Sequence, residues 1–112
     1  MTDRAPFRVE LTHGAKRDLA DIVDFISENA SADVAADVLG RILEKTASLE
    51  RFPERGVHPK ELAELGIRDF RQLNVGVYRL IARVVGKVAY VVLVADGRRD
   101  MTSLLQWRLL SS

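Results

Sequence analysis

Apolar and charged residues alternate over residues 7–11, which predicts a β-strand with one buried face. From Thr12 onward the apolar positions recur at intervals of three and four, the spacing of an amphipathic helix. The hydroxyl of Thr12 can cap the N-terminus of this helix, which we predict to end near Asn29. The chain is therefore expected to begin with a strand that is followed directly by a helix.

A second helix is predicted from the capping residue Ser31 to about Arg51. The connection between the two helices is so short that they are expected to form an antiparallel hairpin. Gly40 costs such a helix about 1 kcal/mol relative to alanine, and we interpret it as a point of close approach between the helices. Proline and glycine then interrupt the pattern over residues 53–59, and residues 61–65 are predicted to form one short turn of helix.

The second half of the chain has the periodicity of three strands, over residues 67–73, 77–85 and 88–95. Residues 86–87 are expected to form a two-residue hairpin turn. The last strand is apolar on both faces, as in a central strand covered on both sides. The apolar tail over residues 101–110 is expected to pack, in part as a short helix, on the sheet or on a partner. We predict an α+β fold with an N-terminal strand and a helical hairpin on one face of an antiparallel β-sheet.

The composition fits a single domain spanning residues 1–112, because 47% of the residues are hydrophobic and 29% are charged. The absence of cysteine excludes a disulfide framework and fits a cytoplasmic protein. Neither a signal peptide nor an apolar run of the roughly 20 residues that a membrane helix needs is expected. The predicted core residues are Leu19, Ile22, Ile26, Leu39, Ile42, Leu80, Val92 and Val94.

The formal net charge of +1 conceals an asymmetry between the two halves of the chain. Residues 1–56 contain eight Lys and Arg against eleven Asp and Glu, whereas residues 57–112 contain nine against five. The basic half is also the half predicted to form most of the sheet. It can recognise phosphates or an acidic partner, although the weak overall charge argues against a protein that depends mainly on phosphate attraction.

Few residues are candidates for metal binding or acid–base catalysis. The two histidines, His13 and His58, are expected at the surface, and no carboxylate cluster has ligand spacing, so no metal or cofactor is expected. Asp18, Asp21 and Asp24 are interpreted as a solvated helix face rather than a catalytic pair. Neither a glycine-rich phosphate loop nor a nucleophile elbow is present.

Arginines are concentrated on or beside the predicted sheet. Arg79 and Arg83 are expected to share one face of a strand, in a row about 13 Å long at most, at roughly 3.3 Å per residue. Guanidinium groups bind phosphate or carboxylate through paired hydrogen bonds. Alternatively, these side chains solubilise the sheet or pair with Asp69, Asp96 and Asp100. The complete set is Arg68, Arg71, Arg79, Arg83, Arg98 and Arg99.

Three segments together resemble the RelE/ParE family of toxins and cover nearly the whole chain. The first strand and helix of the family resemble VELTHGAKRDLADIVDFISENAS, and its second helix and the break after it resemble VLGRILEKTASLERFPERG. The most diagnostic segment is GIRDFRQLNVGVYRLIARVVGKVAYVVLVADGRRDM, with Tyr78 and Arg79 on one strand and Gly97–Arg99 closing the next. Each segment alone is weak evidence, but their order and spacing are fairly specific.

The resemblance implies the toxin of a bacterial type II toxin–antitoxin system, a class linked to plasmid stabilization, which a cognate antitoxin binds and neutralises. RelE-like members cut messenger RNA on the ribosome without a metal, whereas ParE-like members inhibit DNA gyrase and are not nucleases. A homodimer and a toxin–antitoxin heterotetramer are both compatible with the resemblance.

For a nuclease, the resemblance assigns the catalytic and phosphate-binding roles to Arg71, Arg79 and Arg99. Cleavage also needs an acid and a base, and an arginine with a pKa above about 12 is a poor base. RelE-like nucleases carry a tyrosine six positions beyond the equivalent of Arg99, and here that position is Leu105. We therefore favour a ParE-like gyrase inhibitor, more an inhibitor than an enzyme, over a ribonuclease. Target or partner binding is expected at Arg68, Arg79, Arg83, Arg98, Arg99 and Trp107.

Overall fold

The computed structural model describes residues 6–110, apart from the side chain of residue 110. Two helices begin at the predicted caps: Thr12 Oγ1 accepts a hydrogen bond from the Ala15 amide at 3.2 Å, and Ser31 Oγ accepts one from the Val34 amide at 3.1 Å. The elements in chain order are β1 (Arg8–Leu11), α1 (His13–Asn29), α2 (Ala32–Ala47), α3 (Lys60–Ala63), β2 (Phe70–Val75), β3 (Tyr78–Val85), β4 (Val88–Asp96) and α4 (Met101–Leu110).

The four strands form one mixed sheet with the order β1-β4-β3-β2. Strands β2, β3 and β4 are antiparallel neighbours, as predicted, and residues 86–87 form the turn between β3 and β4. Strand β1 differs from the expected antiparallel pattern because it pairs in parallel with β4, from Arg8 beside Val88 to Leu11 beside Val91. The central position predicted for β4 is confirmed.

Helices cover both faces of the sheet. On one face the α1–α2 hairpin packs through Leu19 and Ile42 against Leu80 and Val94, which forms the larger core. Of the eight predicted core residues, Ile22, Leu39 and Val92 are only half-buried, and the others are buried. On the opposite face α3 and α4 pack over a second, smaller core, whose buried members are Leu62, Phe70, Ile81, Leu93, Ala95, Met101 and Leu105.

A β-bulge interrupts the side-chain alternation of β4, which is apolar on both faces because a core lies on each of them. Ile81 lies opposite Leu93, but the next residue of β3, Ala82, lies opposite Val91, so Val92 is an extra residue in β4. The side-chain alternation therefore changes phase at Val92. Val91 belongs to the larger core, whereas Leu93 belongs to the smaller one.

Three boundary and packing predictions were wrong in detail. Gly40 is exposed, and a Cβ atom placed there would meet nothing within 4 Å, so it is not a point of helix contact. Helix α2 ends at Ala47 and continues as a 3-10 turn over Ser48–Glu50 instead of remaining α-helical to Arg51. Strand β2 begins at Phe70, three residues later than predicted, because the segment after α3 is still turning.

None of the helices within residues 6–110 is long and apolar enough to cross a membrane.

Candidate functional site

Arg79 lies on β3, and its guanidinium is held by side chains from two other elements. Its Nη1 and Nη2 donate to the two carboxylate oxygens of Glu61 on α3 at 3.0 and 2.7 Å, and its Nε donates to Gln72 Oε1 on β2 at 2.9 Å. Only 13% of the Arg79 side chain and 12% of the Glu61 side chain are exposed. Arg79 is therefore a partner in a mostly buried, bidentate ion pair.

Glycine at position 97 is needed for this arrangement. A Cβ atom on Gly97 would lie 2.7 Å from Arg79 Cδ and 2.9 Å from its Cγ, which is closer than such carbons approach. The aliphatic part of Arg79 thus passes directly beneath the turn that follows β4. This packing gives a physical reason for the glycine of the Gly-Arg-Arg sequence.

The hydrogen bonds from Arg79 lower the pKa of the Glu61 carboxyl, because they stabilise its charged form more than burial destabilises it. A shallow cavity of about 250 Å³ lies beside the pair and is lined in part by His58, Lys60 and Gln72. His58 was expected to be a surface histidine, but it is half-buried, and its Nδ1 lies 3.3 Å from the carbonyl oxygen of Phe70. Groups capable of proton transfer therefore lie beside Arg79.

Arg98 and Arg99, at the end of β4, have different environments. Arg98 donates through Nε and Nη2 to the Asp96 carboxylate at 2.9 and 2.6 Å, and these bonds lower the pKa of Asp96 to about 2. Arg99 is exposed and lines a cavity of about 390 Å³ together with Tyr78 and Phe25. Arg99 is thus available to a ligand, whereas Arg98 already has a carboxylate partner.

The other residues predicted to bind a target or partner, or to act in a nuclease, are spread over the surface. Arg71 donates to the Glu54 carbonyl oxygen at 2.8 Å and supports the loop before α3. Arg68 is exposed and makes no hydrogen bond or ion pair within residues 6–110. Trp107, on α4, is 74% exposed. The guanidinium carbon of Arg83 lies 5.3 Å from the centre of the Phe70 ring, in a cation–π contact.

A second, mostly buried ion pair joins α1 to α4 and was not predicted from the sequence. Asp18 Oδ1 and Oδ2 accept from Arg108 Nη2 and Nη1 at 2.8 and 3.0 Å. Asp18 also accepts from the Val94 amide at 2.9 Å, and Arg108 donates to the Val92 carbonyl oxygen at 2.7 Å. Strand β1 pairs only with residues 88–91 of β4. Beyond residue 91, the side chains of this ion pair take the place of a neighbouring strand and bond the backbone groups of Val92 and Val94.

Asp18 therefore does not belong to a solvated helix face, as the sequence suggested, and only 15% of its side chain is exposed. Asp21 and Asp24 on the same helix are exposed, as expected. A glycine at position 14 gives Arg108 its path, because a Cβ atom there would lie 2.9 Å from Arg108 Nη1. No sequence signal distinguished Asp18, since its partner lies 90 residues away.

The family model described as the ParE toxin of the parDE type II toxin–antitoxin system matches residues 9–101. The chain belongs to the ParE toxin family. No curated protein sequence matches it. Its membership therefore rests on a match that extends from β1 to the first residue of α4.

Solved structures of related systems have the same fold as this ParE-family chain. The chromosomal ParDE system of P. aeruginosa matches with a TM-score of 0.70 at 19% identity, covering 83% of this chain and 98% of the other. The RelBE2 toxin–antitoxin complex of Mycobacterium tuberculosis matches with a TM-score of 0.54 at 20% identity, covering 81% and 98%. A free E. coli RelE carrying two arginine substitutions matches with a TM-score of 0.61 at 12% identity, covering 88% and 92%.

The arginines of this ParE-family chain do not converge on one site. Arg79 lies with Glu61 on the face covered by α3 and α4, Arg99 lies at the end of β4, and Arg83 lies near the start of α1. Leu105, at the position where RelE-like nucleases carry a tyrosine, is 1% exposed within the smaller core. Within residues 6–110, no group of three His, Cys, Asp or Glu side chains is placed to hold a metal ion.

Proposed function

We propose that this protein is a toxin that inhibits DNA gyrase and that a cognate antitoxin neutralises it. The observation that carries the proposal is the match to the ParE family over residues 9–101. The environment of the arginines supports it, because Arg79, one of the residues that the resemblance to nucleases assigns to phosphate binding, already binds both oxygens of Glu61. Phosphate binding at this position first requires that ion pair to open.

The burial of Leu105 also supports an inhibitor over a nuclease. A metal-independent ribonuclease needs an acid and a base in contact with the reacting oxygens. Leu105 is an apolar residue inside the smaller core and supplies neither. Glu61 is a weak base in its present state, because its pKa is lowered and both of its oxygens accept from Arg79.

We assign gyrase binding to the surface around the end of β4 and the outer face of α4. Arg99 and Phe25 line the cavity there, and Phe25 is 64% exposed. Trp107, on α4, is the most exposed large hydrophobic residue among those described. Aromatic residues and arginine are the residue types enriched in protein interfaces.

An antitoxin has two suitable docking surfaces on this fold. The outer side of the α1–α2 hairpin exposes Phe25, Val34 and Leu43, which suits the apolar face of an amphipathic helix. Strands β1 and β2 are the sheet edges, and an extended segment can add to either. The antitoxin complexes of the ParDE and RelBE2 systems support this part of the proposal by analogy of fold.

The alternative function is ribosome-dependent cleavage of messenger RNA, and one observation favours it. His58 and Lys60 line the same small cavity as Arg79. If Glu61 released Arg79 on the ribosome, a cation and a group able to transfer protons would lie side by side. This alternative requires the site to rearrange.

Purified toxin should be tested in parallel for inhibition of gyrase supercoiling and for cleavage of ribosome-bound messenger RNA. We expect inhibition without cleavage, reduced at least about tenfold by Arg99→Ala and Trp107→Ala, which is about 1.4 kcal/mol. Arg17→Ala, at an exposed position on α1, is the matched control and should retain full inhibition. Cleavage that is lost in His58→Ala or Arg79→Ala would refute the proposal and support the ribonuclease.

A further inference from the structure

A cavity of about 410 Å³ lies between the start of α1, the last turn of α4 and the sheet. Phe70 and Val92 contribute apolar surface to it, and His13, Arg83 and Arg108 contribute the basic side chains. No carboxylate lines this cavity among the described residues. The cavity is therefore both apolar and basic, which is the lining expected for an anion attached to an apolar group.

Arg83 is the guanidinium in this cavity without an anionic partner among the described residues. Its side chain makes neither a hydrogen bond nor an ion pair within residues 6–110, and its contact is with the face of the Phe70 ring. Its Nε is buried and unbonded, in contrast to the large majority of buried polar groups, which have a partner. The Nη groups, which are not buried in this way, are the donors of Arg83 that a ligand can reach.

Two further features add positive potential at the same place. Helix α1 begins here, and the amides of its first residues point out of the helix without acceptors within it. Arg108 lies across the cavity, but Asp18 neutralises its charge. Arg83 is thus left as the one unpaired guanidinium in the cavity among the described residues.

We propose that this cavity binds a carboxylate with an adjoining apolar group, as presented by an acidic residue of a protein partner. The carboxylate accepts from the two Nη groups of Arg83 in a planar, bidentate contact. The apolar group lies against Phe70 and Val92. The site shares no lining residue with the cavity beside Arg99.

The charge balance favours a carboxylate over a phosphate monoester. One unpaired guanidinium matches a single negative charge, whereas a phosphate monoester carries about −1.5 to −2 near neutral pH. The flat fork of the guanidinium also matches the two coplanar oxygens of a carboxylate. The apolar floor contributes nothing to binding a strongly hydrated phosphate.

Binding is tested by NMR on the full chain, following the Nε–H resonance of Arg83 during titration with benzoate, benzamide and inorganic phosphate. We expect benzoate to shift this resonance and to bind at least about tenfold more tightly than either of the others. Arg83→Met, which keeps the aliphatic stem, should weaken benzoate binding at least about tenfold, and Arg83→Lys should weaken it less. Arg17→Met, outside the cavity, is the matched control and should bind like the unaltered protein.

Three results would overturn the inference. Equal binding of benzamide would show an apolar cavity that does not recognise charge. Stronger binding of phosphate would point to a phosphorylated group as the ligand. An unmoved Arg83 resonance at saturating benzoate would exclude the site, even if Arg83→Met proved unstable. The test contains neither gyrase nor antitoxin, so its outcome is independent of the proposed function.

Discussion

At the scale of single residues, the partner of each arginine determines its role. Arg79 and Arg108 each bind both oxygens of a mostly buried carboxylate, whereas Arg98 pairs with Asp96 at the surface. Arg83 contacts an aromatic ring. Removing one member of a buried pair leaves an uncompensated charge, but exposed pairs contribute about 1 kcal/mol or less. The same substitution at each of these arginines should therefore change the free energy of unfolding by very different amounts.

Ile42→Ala should lower the free energy of unfolding by about 2–5 kcal/mol, because it opens a cavity in the larger core. Ile42 is 0% exposed, while its neighbour Leu43 is 42% exposed. Leu43→Ala is therefore the matched control and should change stability by about 0.5 kcal/mol or less. Urea unfolding of both variants checks the prediction, and similar losses for the two would show that the buried face of α2 is wrongly assigned.

Stability should fall in acid through Glu61. Its carboxyl has a lowered pKa in the folded protein, so the ion pair with Arg79 contributes stability above the ordinary pKa of 4.5, and this contribution disappears as pH falls through the folded value. Unfolding free energies measured from about pH 6 to about pH 3 should decline more steeply for the unaltered protein than for Glu61→Gln. Parallel curves would show that Glu61 and Arg79 do not interact in solution.

At the scale of secondary-structure elements, local signals were sufficient for most of the fold. The caps at Thr12 and Ser31, the turn at residues 86–87 and the antiparallel order of β2, β3 and β4 were all predicted, because each depends on neighbouring residues. The parallel pairing of β1 with β4 was not predicted, because it joins positions far apart in the sequence.

The candidate site was less predictable than the fold for the same reason. The sequence identified Arg79 but not Glu61 or Gln72, which lie 18 and 7 positions away on other elements. Asp18 and Arg108 have ordinary helical contexts, and only the tertiary structure brings them together. Periodicity locates the buried face of a helix or strand, but it does not identify which charges on different elements meet.

Asp18→Ala should loosen α4 and the free edge of β4 together, because it removes the partner of both Arg108 and the Val94 amide. We expect a loss of about 1.5–3 kcal/mol, typical of a hydrogen bond to a charged group. Hydrogen exchange should quicken at Val94 and along α4. Asp21→Ala is the matched control, since Asp21 is exposed and makes no such bonds among the described residues. An unchanged rate of hydrogen exchange at Val94 in Asp18→Ala would contradict this prediction.

At the scale of the whole molecule, the ParE-family fold persists at low sequence identity, as the TM-score of 0.70 at 19% identity shows. The positive charge of the second half of the chain is partly neutralised by local ion pairs such as Arg79–Glu61 and Arg98–Asp96. The exposed arginines Arg68 and Arg99 remain unpaired among the described residues. Electrostatic attraction of the acidic partner that the basic half of the chain can recognise should therefore depend on these two more than on Arg79.

Charge reversal of Arg68 and Arg99 together should slow association with the antitoxin and reduce its dependence on salt, with little change in dissociation. Reversal of Arg17 and Arg51, which are exposed in the acidic half of the chain, changes the net charge equally and should slow association less. Stopped-flow measurements of the association rate at two salt concentrations compare the two double variants. Equal slowing by both would mean that net charge, not its location, controls the encounter.

The parallel pairing of β1 with β4 determines when the protein can fold during its synthesis. Val88 is made 80 positions after its partner Arg8, and β4 must be present before either neighbouring strand has its full set of hydrogen bonds. Arg108, which completes the free edge of β4, follows later still. Because ribosomes build a chain from its N-terminus, a nascent or truncated product that lacks β4 has neither a closed sheet nor a complete core. The finished tertiary structure therefore forms only after β4 and α4 have been made, so products that lack them do not have the complete surfaces proposed for the target and the antitoxin.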